Sequence, residues 1–247
     1  MNNHRFSVSG STLKIIAIIS MLIDHTGAAI IRPLRTALPD TMQQTKDFLT
    51  WIYPLSRNIG RLAFPIFCFL LVEGFFHTRN VYKYAGRLFL FALISELPFD
   101  YALGKSLFDF HHQNVYFTLL FALLALIALS EIEKLKPRCF HQRIFCRLLQ
   151  MIACVFPLII AQRCYFDYRF RGIMVIFVLY GFHQNRKEQA AMGALTISWE
   201  TWGPFAFLPI WFYNGKRGLS LKYLFYWFYP VHLIVLGFLR HMILNMT

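Results

Sequence analysis

Leu13-Lys-Ile-Ile-Ala-Ile-Ile-Ser-Met-Leu-Ile-Asp-His-Thr-Gly-Ala-Ala-Ile-Ile31 is the stretch whose reading decides the fold class. An apolar run of about 20 residues is long enough to cross the hydrocarbon of a bilayer as a helix. This run has that length, yet it carries Asp24 and His25 side by side. Ionisable groups within a spanning helix cost several kcal/mol if they face lipid, and they are tolerated when they face a protein interior or a wet cavity. The pair is therefore a site hypothesis from the outset. Adjacent helical residues point about 100° apart, so each is expected to face a neighbour on another span rather than its companion.

The rest of the chain agrees with a membrane protein. It has 247 residues, 57% of them hydrophobic and only 15% charged, with a mean hydropathy of +0.47; soluble domains carry about a quarter charged residues. Further apolar segments fall at about residues 59–76, 88–103, 115–130, 148–161, 172–182 and 221–239. Residues 190–213 are apolar but interrupted by Pro204 and Pro209, which leaves open one kinked span or two short ones. The runs are continuous rather than alternating, which argues against a β-barrel. The expected architecture is all-α, a polytopic bundle of roughly eight to ten transmembrane segments forming one domain over residues 1–247. Residues 32–57, with Pro33, Pro39 and Pro54, read as an extramembrane loop with Trp51 and Tyr53 at the interface.

The net charge of +13 suits an anionic membrane surface or a phosphate-bearing ligand. No basic domain exists to clamp a duplex, so nucleic acid is not an expected partner. The five cysteines form no CxxC pair, and neither a disulfide framework nor a zinc signature is present. The N-terminus is too polar for a signal-peptide core, and the first run reads as a retained span. The Lys/Arg bias of the short loops favours a cytoplasmic N-terminus, although Arg57, Lys105, Arg163 and Arg169 fall on the opposite side.

That topology sorts the polar residues into two groups. Asp24, His25, Arg61, Glu96, Asp100, Asn114, Tyr116 and Asp167 converge on the outer half, whereas Glu73, His77, Arg79 and Arg87 fall at the inner end. Arg61 could pair with Asp24 or Glu96, bind an anion, or snorkel to the interface. Glu96 and Asp100 are four apart across Pro98, where a helix break is expected, with Glu96 the deeper. Glu73 and His77 can touch at i,i+4. Asn214-Gly-Lys-Arg-Gly218 reads as a turn bearing Lys216 and Arg217. In Phe228-Tyr-Pro-Val-His232, Tyr229 and His232 lie three apart around Pro230, which could present both to a cavity.

Several of these strings together resemble the TraX family of membrane proteins. They are residues 13–25, Ile59-Gly-Arg-Leu-Ala-Phe-Pro-Ile-Phe67, Glu73-Gly-Phe, His77-Thr-Arg79-Asn80, residues 88–100, Gln113-Asn-Val-Tyr-Phe-Thr118, Tyr213-Asn-Gly-Lys-Arg-Gly218 and residues 228–232. One departure is visible: the family usually shows Asp-Tyr-Gly before the sixth span, and here Asp167-Tyr168 is followed by Arg169. The resemblance implies a membrane acetyltransferase in the cytoplasmic membrane, using acetyl-CoA and no metal, with a peptide, protein or small-molecule amine or hydroxyl as acceptor. It makes His25 the expected general base, with Asp24 and Glu96 tuning it or holding an ammonium. Arg61 and Asn114 would polarise the thioester carbonyl, and Arg79, Arg87, Lys216 and Arg217 would hold the CoA phosphates. Glu73, Asp100, Tyr116, Asn214, Tyr229 and His232 are supporting candidates. A proton-coupled transporter, which also uses intramembrane acids and histidines, and an envelope or pilus assembly scaffold are the competing classes.

Overall fold

Apolar helices dominate the chain because backbone N–H and C=O groups in hydrocarbon must pair within their own segment. In the computed structural model, residues 7–104, 106, 108–219 and 222–246 are described. Lys105, named above, and residue 221, where the last apolar segment is expected to start, lie outside the described residues. The helices are α1 (Gly10–Thr26), α2 (Arg32–Ala37), α3 (Gln43–Gly60), α4 (Ala63–His77), α5 (Val81–Leu103), α6 (Val115–Lys134), α7 (Phe140–Arg163), α8 (Arg169–Gly181), α9 (Arg186–Thr196), α10 (Phe207–Trp211) and α11 (Lys222–Met246). Only isolated bridges, Val8 with Tyr213 and Gln113 with Phe166, add extended pairing among these residues. The chain is thus an all-α polytopic membrane protein. Among the described residues five helical stretches are long and apolar enough to cross a bilayer: Gly10–Ala37, Asp40–His77, Val115–Lys134, Phe140–Arg163 and Phe225–Asn245.

Small polar residues start the helices. Ser9, Asn80, Asn114 and Asn185 each accept a backbone N–H from the first turn of α1, α5, α6 and α9, which satisfies donors that have no intrahelical partner. At the core, α4 packs between α1 and α8, and α6 packs against α5, α7 and α8. Phe69, Ile66, Leu123, Leu126, Ile173 and Ile176 are fully buried there. By contrast α7 buries only Pro157 and Ala161 and presents Phe145, Leu148, Ile152, Phe156 and Ile159 outward, as a lipid-facing helix should.

Two expectations change. Residues 32–57 are not a loop: α1 runs through a π-turn (Gly27–Ile31) into α2, and α3 returns alongside α1. The prolines do not prevent this, because Pro33 sits in the first turn of α2, where its missing N–H costs little, and Pro54 is accommodated inside α3. Likewise α5 continues through Pro98. Of the two alternatives left open for residues 190–213, the structure has two short pieces, α9 and α10. Arg186, at the start of α9, lies 4.9 Å from the ring of Tyr213, just beyond α10, so the segment returns to the end of the bundle it left. That end also holds the start of α1, since Val8 accepts from Asn214 N; it is called the N-terminal face below.

Candidate functional site

The polar layer is built from helix ends and breaks. The π-turn follows directly on Asp24, His25 and Thr26, and such turns re-aim side chains inside otherwise regular helices. Two glycines let α3 approach α1 here. A Cβ on Gly60 would lie 2.1 Å from Asp24 Oδ1, and one on Gly27 would lie 2.2 Å from Ser56 Oγ. Only glycine permits either contact, which gives the Gly60-Arg61 string a packing reason.

Asp24 and His25 do point to different neighbours. Asp24 Oδ2 accepts from Arg57 Nη1 at 2.6 Å, while its buried Oδ1 has no hydrogen-bond partner among the described residues. His25 Nδ1 lies 2.7 Å from His232 Nε2, the two rings nearly parallel at 7°. His232 Nδ1 in turn lies 2.7 Å from the Phe228 carbonyl. A carbonyl can only accept, so His232 carries its proton on Nδ1, and a neutral His232 then presents a lone pair at Nε2. His25 must donate from Nδ1, which leaves His25 Nε2 unprotonated. The chain of three groups therefore fixes a tautomer with a free basic nitrogen. Tyr229 packs edge-on against both imidazoles, at 5.9 and 5.7 Å, and against Tyr116 at 5.1 Å.

The other expected members of the layer are present with different partners. Arg61 Nε pairs with Glu200 Oε2 at 2.9 Å, not with Asp24 or Glu96; the Asp24 carboxylate is already held by Arg57 one turn earlier on α3. Asn114, wholly buried, hydrogen-bonds Glu96 Oε2 and the Ala92 carbonyl through Nδ2 and caps α6 through Oδ1. Both amide hydrogens are used, so Asn114 cannot polarise a carbonyl and instead ties α5 to α6. Asp100 is more deeply buried than Glu96, the reverse of the sequence expectation, and its Oδ2 accepts from Asp109 N at 2.9 Å.

At the N-terminal face a cavity of about 610 Å³ opens between α1, α4, α5 and α11. Lys14, Arg79, Arg87 and Arg217 line it, with Tyr116 and Leu119 on its wall. None of these four cations makes an ion pair with a carboxylate among the described residues, and the buried Arg87 Nε has no hydrogen-bond partner. Glu73 also lines the cavity, but its carboxylate is taken by Arg186 at 2.9 Å; His77 reaches only the Glu73 backbone carbonyl, at 2.8 Å. Lys216 does not line the cavity. Asn214 makes the turn, its Oδ1 accepting from Lys216 N at 2.9 Å, and Gly215 takes the left-handed conformation with φ of 74°.

Sequence reasoning missed Arg57, Glu200, Arg186 and Lys14. Two of these were signalled. Arg57 lies one turn before Arg61, and Glu200 is the only acid between residues 190 and 213, which marks it for an internal cation. Lys14 belongs to the opening apolar run and can reach the cavity because it sits in the second turn of α1.

No solved structure is similar to this chain. A probable fimbrial assembly protein FimC, serogroup H1, from Dichelobacter nodosus is 34% identical to it over 92% of this chain and 94% of that protein. The family model described as TraX protein matches residues 9–240, which include α1 to α10 and most of α11. With the strings quoted above all inside that match, the chain belongs to the TraX family.

Proposed function

We propose that this protein is a membrane acetyltransferase that moves an acetyl group from acetyl-CoA to an amine or hydroxyl acceptor. The observation that carries the reading is the His25–His232–Phe228 hydrogen-bond chain, which leaves His25 Nε2 as a base. A general base must reach its proton with the correct tautomer before its strength matters. The thioester supplies an activated acyl carbon. His25 Nε2 takes the proton of the acceptor as the new N–C or O–C bond forms, and that proton balances the thiolate released when the C–S bond breaks. Arg61, held by Glu200 and interacting with Tyr168 in this layer, is assigned to the developing oxyanion, a role worth about 3–4 kcal/mol per donor.

The basic cavity supports the donor assignment. Lys14 and His25 are eleven residues apart on one helix, so ~16 Å of rise separates the phosphate-suited mouth from the base. A long carrier with anionic groups at one end and a reactive group at the other fits that spacing. Arg79, Arg87, Arg217 and Lys14 would hold the phosphates; Lys216 is no longer a candidate. Because acyl-CoA is cytoplasmic, the N-terminal face is assigned to the cytoplasm and the protein to the cytoplasmic membrane. The fimbrial-assembly designation of the relative supports an acceptor that is a subunit of a surface filament.

The test is thiol release from labelled acetyl-CoA by purified protein. Wild type should release thiol and His25→Ala should not, at unchanged expression and thermal stability. An active His25→Ala protein, or a wild type that binds acetyl-CoA without turnover, contradicts the reading and returns the transporter and scaffold classes.

A further inference from the structure

At the end of the bundle opposite the basic cavity lies a second cavity of about 450 Å³, lined by His112, Gln162, Asp167, Tyr168, Trp199 and Glu200 among others. Three features separate it from an ordinary surface depression. First, it abuts the polar layer. Glu200 is the partner of Arg61, the Tyr168 ring stacks on Phe64 of α4 at 3.7 Å, and Asp167 lies within electrostatic reach of Asp24 and Tyr229. Second, its floor is strained. Tyr165, Tyr168 and Arg169 have φ of 55°, 61° and 48°, and each left-handed non-glycine residue costs about 1–3 kcal/mol unless its surroundings enforce it. The enforcing contacts are the Gln113–Phe166 bridge, in which Gln113 N donates to Tyr165 O and Asp167 N to Gln113 O, and the Thr118 hydroxyl on the Asp167 carbonyl. Third, it has acceptors that are unused among the described residues: the buried Gln162 Oε1 has no partner there, and the contacts to the Asp167 carboxylate from Tyr168 N and His112 Nε2 fall on Oδ1.

The two cavities sit at opposite ends of α1, α4 and α8. Helix α8 has 13 residues and rises only ~20 Å, less than the roughly 30 Å of bilayer hydrocarbon. The second cavity is therefore drawn toward the membrane interior, and Tyr229 with the His25–His232 pair lies between it and the basic cavity.

We infer that this second cavity is the acceptor's portal, that it receives a primary ammonium group at Asp167, and that donor and acceptor therefore reach His25 from opposite faces of the membrane. The inference rests on the acetyltransferase reading and adds to it a sidedness and a binding residue. Asp167 holds the ammonium as an ion pair; the ammonium releases one proton to bulk water as the amine leaves Asp167 for His25, His25 Nε2 takes the second as the N–C bond forms, and that second proton neutralises the thiolate released when the C–S bond of the thioester breaks. His112 competes for Asp167 when protonated, and that pairing raises its affinity for a proton above the ordinary histidine value. The exposed Cys164 adjoins Tyr165 at the rim of the cavity and offers a handle for blocking it.

The experiment uses the full-length protein in proteoliposomes, acetyl-CoA, and a membrane-impermeant hexapeptide with a free α-amino group. With acetyl-CoA on the Arg79 side and peptide on the Cys164 side, acetylated peptide should accumulate at least tenfold faster than with both on the Arg79 side. Asp167→Asn keeps Oδ1 as an acceptor for Tyr168 N and should raise the KM for peptide tenfold or more, with the KM for acetyl-CoA changed less than twofold. A bulky, membrane-impermeant thiol reagent on Cys164 should block peptide acetylation, and Cys164→Ala should remove that sensitivity. Thiol release without peptide acetylation, equal rates from either side, or an unchanged peptide KM in Asp167→Asn overturns the inference and leaves acetyl transfer standing. Absence of any thiol release removes both.

Discussion

The arginines of the central layer and those of the N-terminal-face cavity are managed in opposite ways. In the layer each is neutralised: Arg57 by Asp24, Arg61 by Glu200. In the cavity Lys14, Arg79, Arg87 and Arg217 share one space, and none of them makes an ion pair with a carboxylate among the described residues. Glu73, which also lines the cavity, is turned away to Arg186, whose guanidinium lies against the rings of Phe69 and Tyr213 at 4.6 and 4.9 Å. Clustered like charges raise the energy of the empty state and lower it when an anion arrives, while paired charges within apolar surroundings hold helices in register. The difference separates cations open to an arriving anionic carrier from cations already held by a carboxylate within the layer.

The largest effect should come from the group that belongs to neither class. His25→Ala should lower turnover about 10²–10⁴-fold, the usual worth of a general base; His232→Phe, which removes the acceptor for His25 Nδ1, should lose much of the same factor with little change in either KM. A smaller, different response is expected from the paired arginines. Arg57→Ala leaves Asp24 buried without a partner, and loss of one member of a buried pair costs about 3–5 kcal/mol, less here because both groups keep some exposure. It should therefore show first as a lower thermal midpoint, and Arg57→Ala with Asp24→Asn should recover part of the loss. Gly60→Ala pushes a methyl into Asp24 and should cost about 1–3 kcal/mol, as overpacking does, measurable as a lower midpoint with normal donor affinity. The smallest signal is spectroscopic. The Asp167 carboxylate holds His112 above its ordinary value, so its NMR titration midpoint should fall toward that value in Asp167→Asn. The pairing stabilises the fold below the unfolded histidine midpoint and is lost as pH rises through the folded one.

The amino-acid sequence carried the bundle, because continuous apolar runs with a few internal ions can fold in a bilayer in only one way. It also carried the gathering of Asp24, His25, Glu96, Asn114 and Asp167, since alternating helix directions place those positions at one depth. Partner choice was not legible. Which arginine meets Asp24 depends on the close approach at Gly60, and which acid meets Arg61 depends on a helix pair that turns back inside the bundle. Nor could the run at residues 32–57 reveal its helix: prolines near a first turn and within a tolerant helix read the same as prolines in a loop until packing against α1 is seen. Arg169, directly after Asp167-Tyr168, has a φ of 48°, a conformation that glycine adopts at no steric cost.

Equilibrium binding of acetyl-CoA to the purified protein, followed with increasing salt, bears most directly on the unpaired cations. Wild type should bind, the Kd should rise steeply with salt, and Arg87→Gln should weaken binding at least tenfold while Arg61→Gln changes it less than threefold. No saturable binding, or equal losses from the cavity and the central layer, would contradict the division between them.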